Sequence, residues 1–305
     1  MNRIPAALGP APRYSRSRRL ALALAAAIAV GLALAGPAAA DLLTPESGGS
    51  PNADDIDSLY KLVLAIAIVV FIGVEGALIY SLVKFRARRG AVPAQIRGNT
   101  RLEIGWTVGA ALILVVLAAF TFAKLPGIRN PPDSGPGGLQ LADGVFVAAG
   151  PTKRLPPNGK SLNVCVNGQQ YIWRFTYANN CSSAPLEAPY SYEQLVVPVN
   201  TTVTLDINSQ DVAHSWWIPQ LGGKFDAIPG YTNHTWFKIP GNLAGKTFTG
   251  QCAEMCGRNH ANMIASVSAV SPSQFEAFLE QRRAQLRAAD QAAAIQRKQV
   301  SKQIP

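Results

Sequence analysis

The chain has 305 residues, 48% hydrophobic and only 15% charged, with a net charge of +10 and four cysteines. That charge fraction is well below the roughly 25% of an average soluble chain, and the long apolar runs point to membrane attachment. The excess base could suggest nucleic-acid binding, but from Gly127 to Ser271 nine Lys/Arg face eight Asp/Glu, so the external part is near neutral and nucleic acid is excluded as a partner.

Arg13, Arg16, Arg18 and Arg19 precede the apolar run Leu20–Ala35, which ends in Gly36-Pro37-Ala38-Ala39-Ala40. A basic start, a short apolar stretch and small residues at the end predict a cleaved signal peptide over residues 1–40, against the alternative of an uncleaved helix. Residues 41–125 then hold two longer apolar runs, Tyr60–Phe85 and Ile104–Leu125, each long enough to cross a hydrocarbon core of about 30 Å. Lys84, Arg86, Arg88, Arg89, Arg97 and Arg101 lie between them, whereas Asp41, Glu46, Asp54, Asp55 and Asp57 precede the first. This bias places the connecting loop on the cytoplasmic side and both ends of the mature chain outside. Glu75 falls in the middle of the first run and Glu103 at the start of the second. An intramembrane carboxylate faces protein or water; an acid in a first turn complements the helix dipole.

Residues 126–160 are dense in Pro and Gly and read as a linker. Residues 161–271 alternate as short half-buried strands: Ser161–Val166, Gln170–Tyr177, Gln194–Val199, Thr201–Ile207, Asn233–Ile239, Lys246–Gln251 and Met263–Val270. Their number and spacing predict an all-β sandwich or barrel. Cys165 and Cys181 flank the second of these strands. Outside the cytoplasm they form either a disulfide, which would close a loop of about fifteen residues and stabilise by roughly 3 kcal/mol, or a pair of buried thiols. His234 reads as a packing or surface histidine. From Ser271 the run Ser-Pro-Ser-Gln-Phe-Glu starts a helix capped by Ser271 or Ser273. Within 272–305, the Ala-, Gln- and Arg-rich stretch after Arg282 has few side chains to bury and is expected to fray or be disordered.

The densest chemistry is Cys252-Ala-Glu-Met-Cys256-Gly-Arg-Asn-His260-Ala-Asn-Met263, with Asp211-Val-Ala-His214-Ser-Trp-Trp upstream. Thiolate, thioether and imidazole together suit copper. One blue-copper ion needs one Cys; two thiolates can bridge a pair of copper ions, with one imidazole for each. A tetrahedral zinc site from His214, Cys252, Cys256 and His260 leaves Met263 without a role. A Cys252–Cys256 disulfide leaves the histidines unexplained.

The string C-x-E-x-C-x3-H-x2-M, with Asp211-Val-Ala-His214-Ser-Trp and Asp226-Ala-Ile-Pro-Gly230 before it, resembles subunit II of the haem–copper cytochrome c oxidases. Asn99-Thr-Arg-Leu-Glu103-Ile-Gly-Trp and Gly168-Gln-Gln-Tyr171-Ile-Trp173 extend the match over most of the chain. The resemblance implies a transmembrane helical hairpin carrying a cupredoxin-like Greek-key barrel in a bacterial cytoplasmic membrane. It also implies a dinuclear copper centre held by His214, Cys252, Cys256, His260, Met263 and the Glu254 carbonyl, with the Glu254 side chain toward a magnesium ion shared with subunit I. Electrons would come from cytochrome c and pass to haem in subunit I of a proton-pumping oxidase that also holds subunit III. Glu103 would mark the entrance of a proton path, and Tyr171 and Trp173 the place of electron input. Here the chain departs from the family's Gln-Trp-x-Trp, because Tyr171 replaces the first Trp. The copper ligands also separate this chain from a quinol oxidase subunit whose same fold is purely structural, and the rigidity of the site from a membrane-tethered copper carrier.

Overall fold

The computed structural model describes residues 44–303, apart from 87–89, 91, 93–94, 140–153, 182–183 and 186. The signal-peptide expectation therefore lies outside the described residues. Among the described residues two long helices come first, α1 (Pro51–Lys84) and α2 (Thr100–Arg129). At about 1.5 Å per residue they span roughly 50 and 45 Å, more than a hydrocarbon core of about 30 Å requires. Both satisfy the length and composition of a membrane span, and their apolar side chains, such as Val69, Leu82 and Phe122, are exposed along the chain. Pro51 in the first turn, where a missing N–H costs nothing, starts α1. Asn99 caps α2 by accepting from the Leu102 N–H at 3.2 Å, and Glu103 Oε1 accepts from the Asn99 N–H at 3.3 Å.

The Pro51 end of α1 and the Arg129 end of α2 reach the β domain. The linker expected from Pro126 begins later, since α2 continues through Pro126 to Arg129. Packing explains this: the Ile128 carbonyl of that last turn accepts from Trp236 Nε1 at 3.0 Å. Asn52 at the top of α1 donates to the Trp236 carbonyl at 2.9 Å, and the Lys238 N–H donates to Ser50 Oγ at 3.0 Å. Lys124 pairs with Asp55 at 2.8 Å across the two helices.

Ten strands follow among the described residues: β1 (Leu162–Gln169), β2 (Ile172–Tyr177), β3 (Tyr190–Tyr192), β4 (Gln194–Pro198), β5 (Thr202–Ser209), β6 (His214–Trp217), β7 (Phe225–Ala227), β8 (Asn233–Lys238), β9 (Thr247–Cys252) and β10 (Ile264–Val270). They form two five-stranded sheets, ordered β3-β2-β1-β5-β8 and β4-β10-β9-β6-β7. The β1/β5 and β4/β10 pairs are parallel, and the other pairings are antiparallel. The result is a cupredoxin-like β-sandwich carried by two apolar helices. Strands β3, β6 and β7, absent from the sequence reading, have three or four residues each, too short to show alternation.

Alternation does the folding work in the longer strands. Leu162, Val164 and Val166 of β1, Trp173 and Phe175 of β2, and Val203, Leu205 and Ile207 of β5 are fully buried against Leu195, Val197, Phe248 and Val267. Each such side chain contributes about 1.5–3 kcal/mol relative to exposure. Tyr177 ties the sheets together: its hydroxyl donates to the Val196 carbonyl and accepts from the Val196 N–H, both at 2.9 Å. Burial pushes its phenol pKa well up. Phe275 and Phe278 of the C-terminal helix α3 (Pro272–Gln303) meet the Tyr177 ring edge-on at 5.7 Å. The stretch after Arg282 is helical through Gln303. Ala, Gln, Arg and Lys are strong helix formers, so the turns continue beyond Leu279, the last buried residue among those described.

Candidate metal centre

The last hairpin, β9 to β10, is opened by the eleven-residue loop 253–263, and β6 lies beside β9 with Trp216 opposite Cys252. Cys252 thus ends β9, Cys256 falls in the loop, His260 opens a short 3₁₀ turn, and Met263 closes it. His214 begins β6. The loop is pinned by main-chain bonds from the Cys252 N–H to the Met263 carbonyl and from the Ala253 N–H to the Ser215 carbonyl, each 2.9 Å.

These bonds bring five side chains from two segments together. Cys252 Sγ and Cys256 Sγ stand 3.8 Å apart, both free thiols, so they are not a disulfide, whose sulfurs would be about 2.05 Å apart. His214 Nδ1 lies 3.8 Å from Cys252 Sγ, and His260 Nδ1 lies 3.5 Å from Cys256 Sγ. Met263 Sδ approaches Cys256 Sγ at 3.9 Å, and the Glu254 carbonyl oxygen approaches Cys252 Sγ at 3.2 Å. His214, Cys252, Cys256 and Met263 are buried, His260 is half-buried, and the Glu254 side chain is exposed. The ligand atoms of His214, Cys252 and Cys256 all lie within 4.8 Å of one another.

Residues with no assigned role in the sequence reading hold this cluster. Asp211 Oδ1 meets His214 Nε2 at 2.9 Å, which leaves His214 Nδ1 as the nitrogen facing the sulfurs. Burial raises the Asp211 pKa, but donation from the Gln170 and Val212 N–H groups, each at 2.7 Å, and from His214 outweighs it and brings it to about 2. Gln170 Nε2 donates to the Cys256 carbonyl at 2.7 Å, so one residue grips both the Asp211 side and the thiol loop. Two glycines make room. A Cβ on Gly168 would lie 2.9 Å from His214 Cδ2; one on Gly257, at φ +127°, would lie 2.6 Å from the Tyr171 hydroxyl. The sequence signal for Asp211 was its i−3 spacing to His214. Gln170 and the glycines gave none, because their partners are far away in the chain. Burial, and then the neighbouring Cys252 thiol, push the Cys256 thiol up to about 11. The metal-free site therefore holds a proton there that a cation must displace.

The remaining sequence-predicted residues lie apart from the cluster or beside it. Trp173 is fully buried, its ring 5.9 Å edge-on from that of His214, while Tyr171 is half-buried against Gly257. Glu103 is exposed at the far end of α2 and serves there as a helix cap. Glu75 is half-buried midway along α1. Cys165 and Cys181 form a disulfide with Cα atoms 5.5 Å apart. His234 bonds Asp206 through Nδ1 at 2.8 Å, away from the thiol loop.

Fold and cluster together define a class: a helix-anchored cupredoxin-like protein with buried thiol, imidazole and thioether groups grouped as for a soft metal. Residues 162–270 match the family described as cytochrome C oxidase subunit II, periplasmic domain, and residues 39–124 match its transmembrane domain. The chain is 31% identical over 271 residues to cytochrome c oxidase subunit 2 of Alkalihalophilus pseudofirmus, covering 88% of this chain and 70% of the relative. It is 30% identical over 277 residues to that of Cereibacter sphaeroides, covering 78% of this chain and 82% of the relative. A crystal structure of the periplasmic domain of subunit II of cytochrome oxidase from Bradyrhizobium japonicum aligns at 30% identity and a TM-score of 0.36, over 42% of this chain and 97% of that one. The chain belongs to the cytochrome c oxidase subunit II family.

Proposed function

We propose that this chain is the electron-accepting subunit of a proton-pumping cytochrome c oxidase, taking single electrons from cytochrome c and passing them to haem in subunit I. The observation that carries the reading is the pairing of donors: two thiols 3.8 Å apart, each with its own imidazole. A closed tetrahedral zinc site would need all four donors mutually within roughly 3.3–3.8 Å. Here His214 stands beside one thiol and His260 beside the other, which favours two ions over one.

Cys252, Cys256, His214 and His260 would hold the two copper ions, with Met263 and the Glu254 carbonyl as weaker donors. Such a pair supplies a single shared electron vacancy that fills and empties with little change of ligand geometry. This chain's residues do the rest. Asp211 fixes the His214 tautomer, Gln170 holds the loop, and the apolar packing of Trp173 and Met263 excludes water. Tyr171, half-buried beside the loop, offers an aromatic face to the donor, whereas fully buried Trp173 can act only behind it. The exposed Glu254 side chain is free to meet a magnesium ion at the subunit I boundary, a hard ligand for a hard cation.

The positive residues between α1 and α2 support a cytoplasmic loop and a periplasmic β domain in a bacterial membrane. Subunits I and III would pack on the apolar helix faces. Glu103, about 40 Å along α2 from its periplasmic end, would then serve proton uptake. The test is stopped-flow reduction of the assembled oxidase by cytochrome c. Tyr171→Ala should slow electron acceptance while copper content and transfer to haem stay unchanged. Acceptance at the unaltered rate would move electron input elsewhere on the domain.

A further inference from the structure

The outer face of the first sheet carries a row of reactive groups that the metal site does not use. Strand register sets Cys165 of β1 opposite Asp206 of β5, and Asp206 opposite His234 of β8. The Cys165–Cys181 disulfide places Cys181 Sγ 3.2 Å from Asp206 Oδ2. The other carboxylate oxygen meets His234 Nδ1 at 2.8 Å, and Asn163 Nδ2 reaches Oδ2 at 3.2 Å. Asp206 is nearly buried, its side chain 8% exposed, while that of His234 is 20% exposed and links the carboxylate to solvent.

A disulfide sulfur has no proton to donate, so the carboxylate oxygen facing Cys181 gains a donor there only when the bond is open. A thiol, a carboxylate within reach of it and an imidazole orienting that carboxylate form the arrangement of a nucleophile with its base. We propose that Cys165, Cys181, Asp206 and His234 form a thiol–disulfide exchange site, opened by an external dithiol and closed by an external disulfide.

In opening, a thiolate of the dithiol attacks Cys165 Sγ. The Cys165–Cys181 bond breaks, its electron pair goes to Cys181 Sγ, and the proton lost by the attacking thiol reaches that sulfur by way of His234 and Asp206. The second sulfur of the dithiol then attacks the first, releasing Cys165 as a thiolate that takes up the remaining proton. The dithiol leaves oxidised to a disulfide, and the protein is reduced by two electrons and two protons. Closure reverses these steps: an external disulfide first forms a mixed disulfide on Cys165, and Asp206 takes the Cys181 proton as that sulfur attacks.

The test uses the full chain in detergent, with dithiothreitol as dithiol and oxidised glutathione as disulfide. Alkylation resolved by peptide follows Cys165 and Cys181 separately from Cys252 and Cys256. General acid–base assistance is worth about 10²–10⁴-fold. Asp206→Asn should therefore slow closure at neutral pH by about tenfold or more, and His234→Gln by less. Both should recover in alkali, where the thiol, with an ordinary pKa of about 8.5, ionises unaided. Unchanged rates in both variants would overturn the proposal. Should Asp206→Asn fail to fold, His234→Gln still reports, as does the unaltered protein: its disulfide should open in the native chain at least as fast as in urea. Opening that requires unfolding would also overturn it.

Discussion

Two cysteine–histidine–aspartate clusters occupy one β domain, built from the same side-chain types in opposite order. At the β6/β9 end the imidazole of His214 faces the sulfurs, with Asp211 behind it at 2.9 Å. On the β1-β5-β8 face the carboxylate of Asp206 faces a sulfur, with His234 behind it at 2.8 Å. An imidazole nitrogen turned toward thiols adds a soft donor, and soft donors converging on one point hold a metal. A carboxylate turned toward a sulfur adds a proton acceptor instead. The cysteines differ correspondingly: Cys252 and Cys256 stay 3.8 Å apart on one pinned loop, while Cys165 and Cys181 are bonded. Which group stands nearest the sulfur, more than which groups are present, separates a metal site from a proton-handling one.

The largest effect that would sharpen this contrast is the loss of one thiol of the Cys252/Cys256 pair. Cys256→Ser should abolish binding of the copper pair, because a hydroxyl is a poor copper ligand, while the thermal transition of the metal-free domain moves little and Cys165–Cys181 stays closed. Retention of both ions, measured by elemental analysis, would break the copper assignment of Cys256. Asp211→Asn comes next. Loss of an outer-shell partner typically costs 10–100-fold in metal affinity, read here by competition with a chelator of known affinity. The same variant has a pH signature. The Asp211 carboxyl, lowered from 3.8 to about 2 in the fold, contributes stability that is present above its unfolded pKa and lost as pH falls from about 4 toward 2. Acid titration by circular dichroism should show less of that loss in Asp211→Asn; identical curves would deny Asp211 its role.

How much of this was legible beforehand follows from chain distance. The thiol loop spans twelve residues, so its clustered thiol, imidazole and thioether groups were readable directly, and apolar runs gave both helices. Helix ends were not readable: α2 passes Pro126 because Ile128 is bonded by Trp236, more than a hundred residues away. The Asp206–His234 row was invisible because it depends on the register of three strands, and β1/β5 pairing is parallel and non-local. Gly168 carried no signal of its role in sequence, yet its missing Cβ is what admits the His214 ring.

Smaller effects probe the edges of the metal cluster. Met263→Leu should keep both ions, cost under about 1.5 kcal/mol in stability, and shift the redox potential, since a weak thioether tunes the site without holding it. An unchanged potential by redox titration would reduce Met263 to core packing. Glu103→Gln should leave copper content untouched and slow oxidase turnover. Normal turnover would leave Glu103 as the helix cap it forms with Asn99.

The most direct measurement is the metal content and electron paramagnetic resonance spectrum of the purified chain loaded with copper. Expected are a pair of copper ions per chain and one unpaired electron split equally by both nuclei, with the signal lost in Cys256→Ser. A single copper with its own hyperfine pattern, or a colourless chain that prefers zinc, would contradict the dinuclear assignment and with it the electron-accepting role.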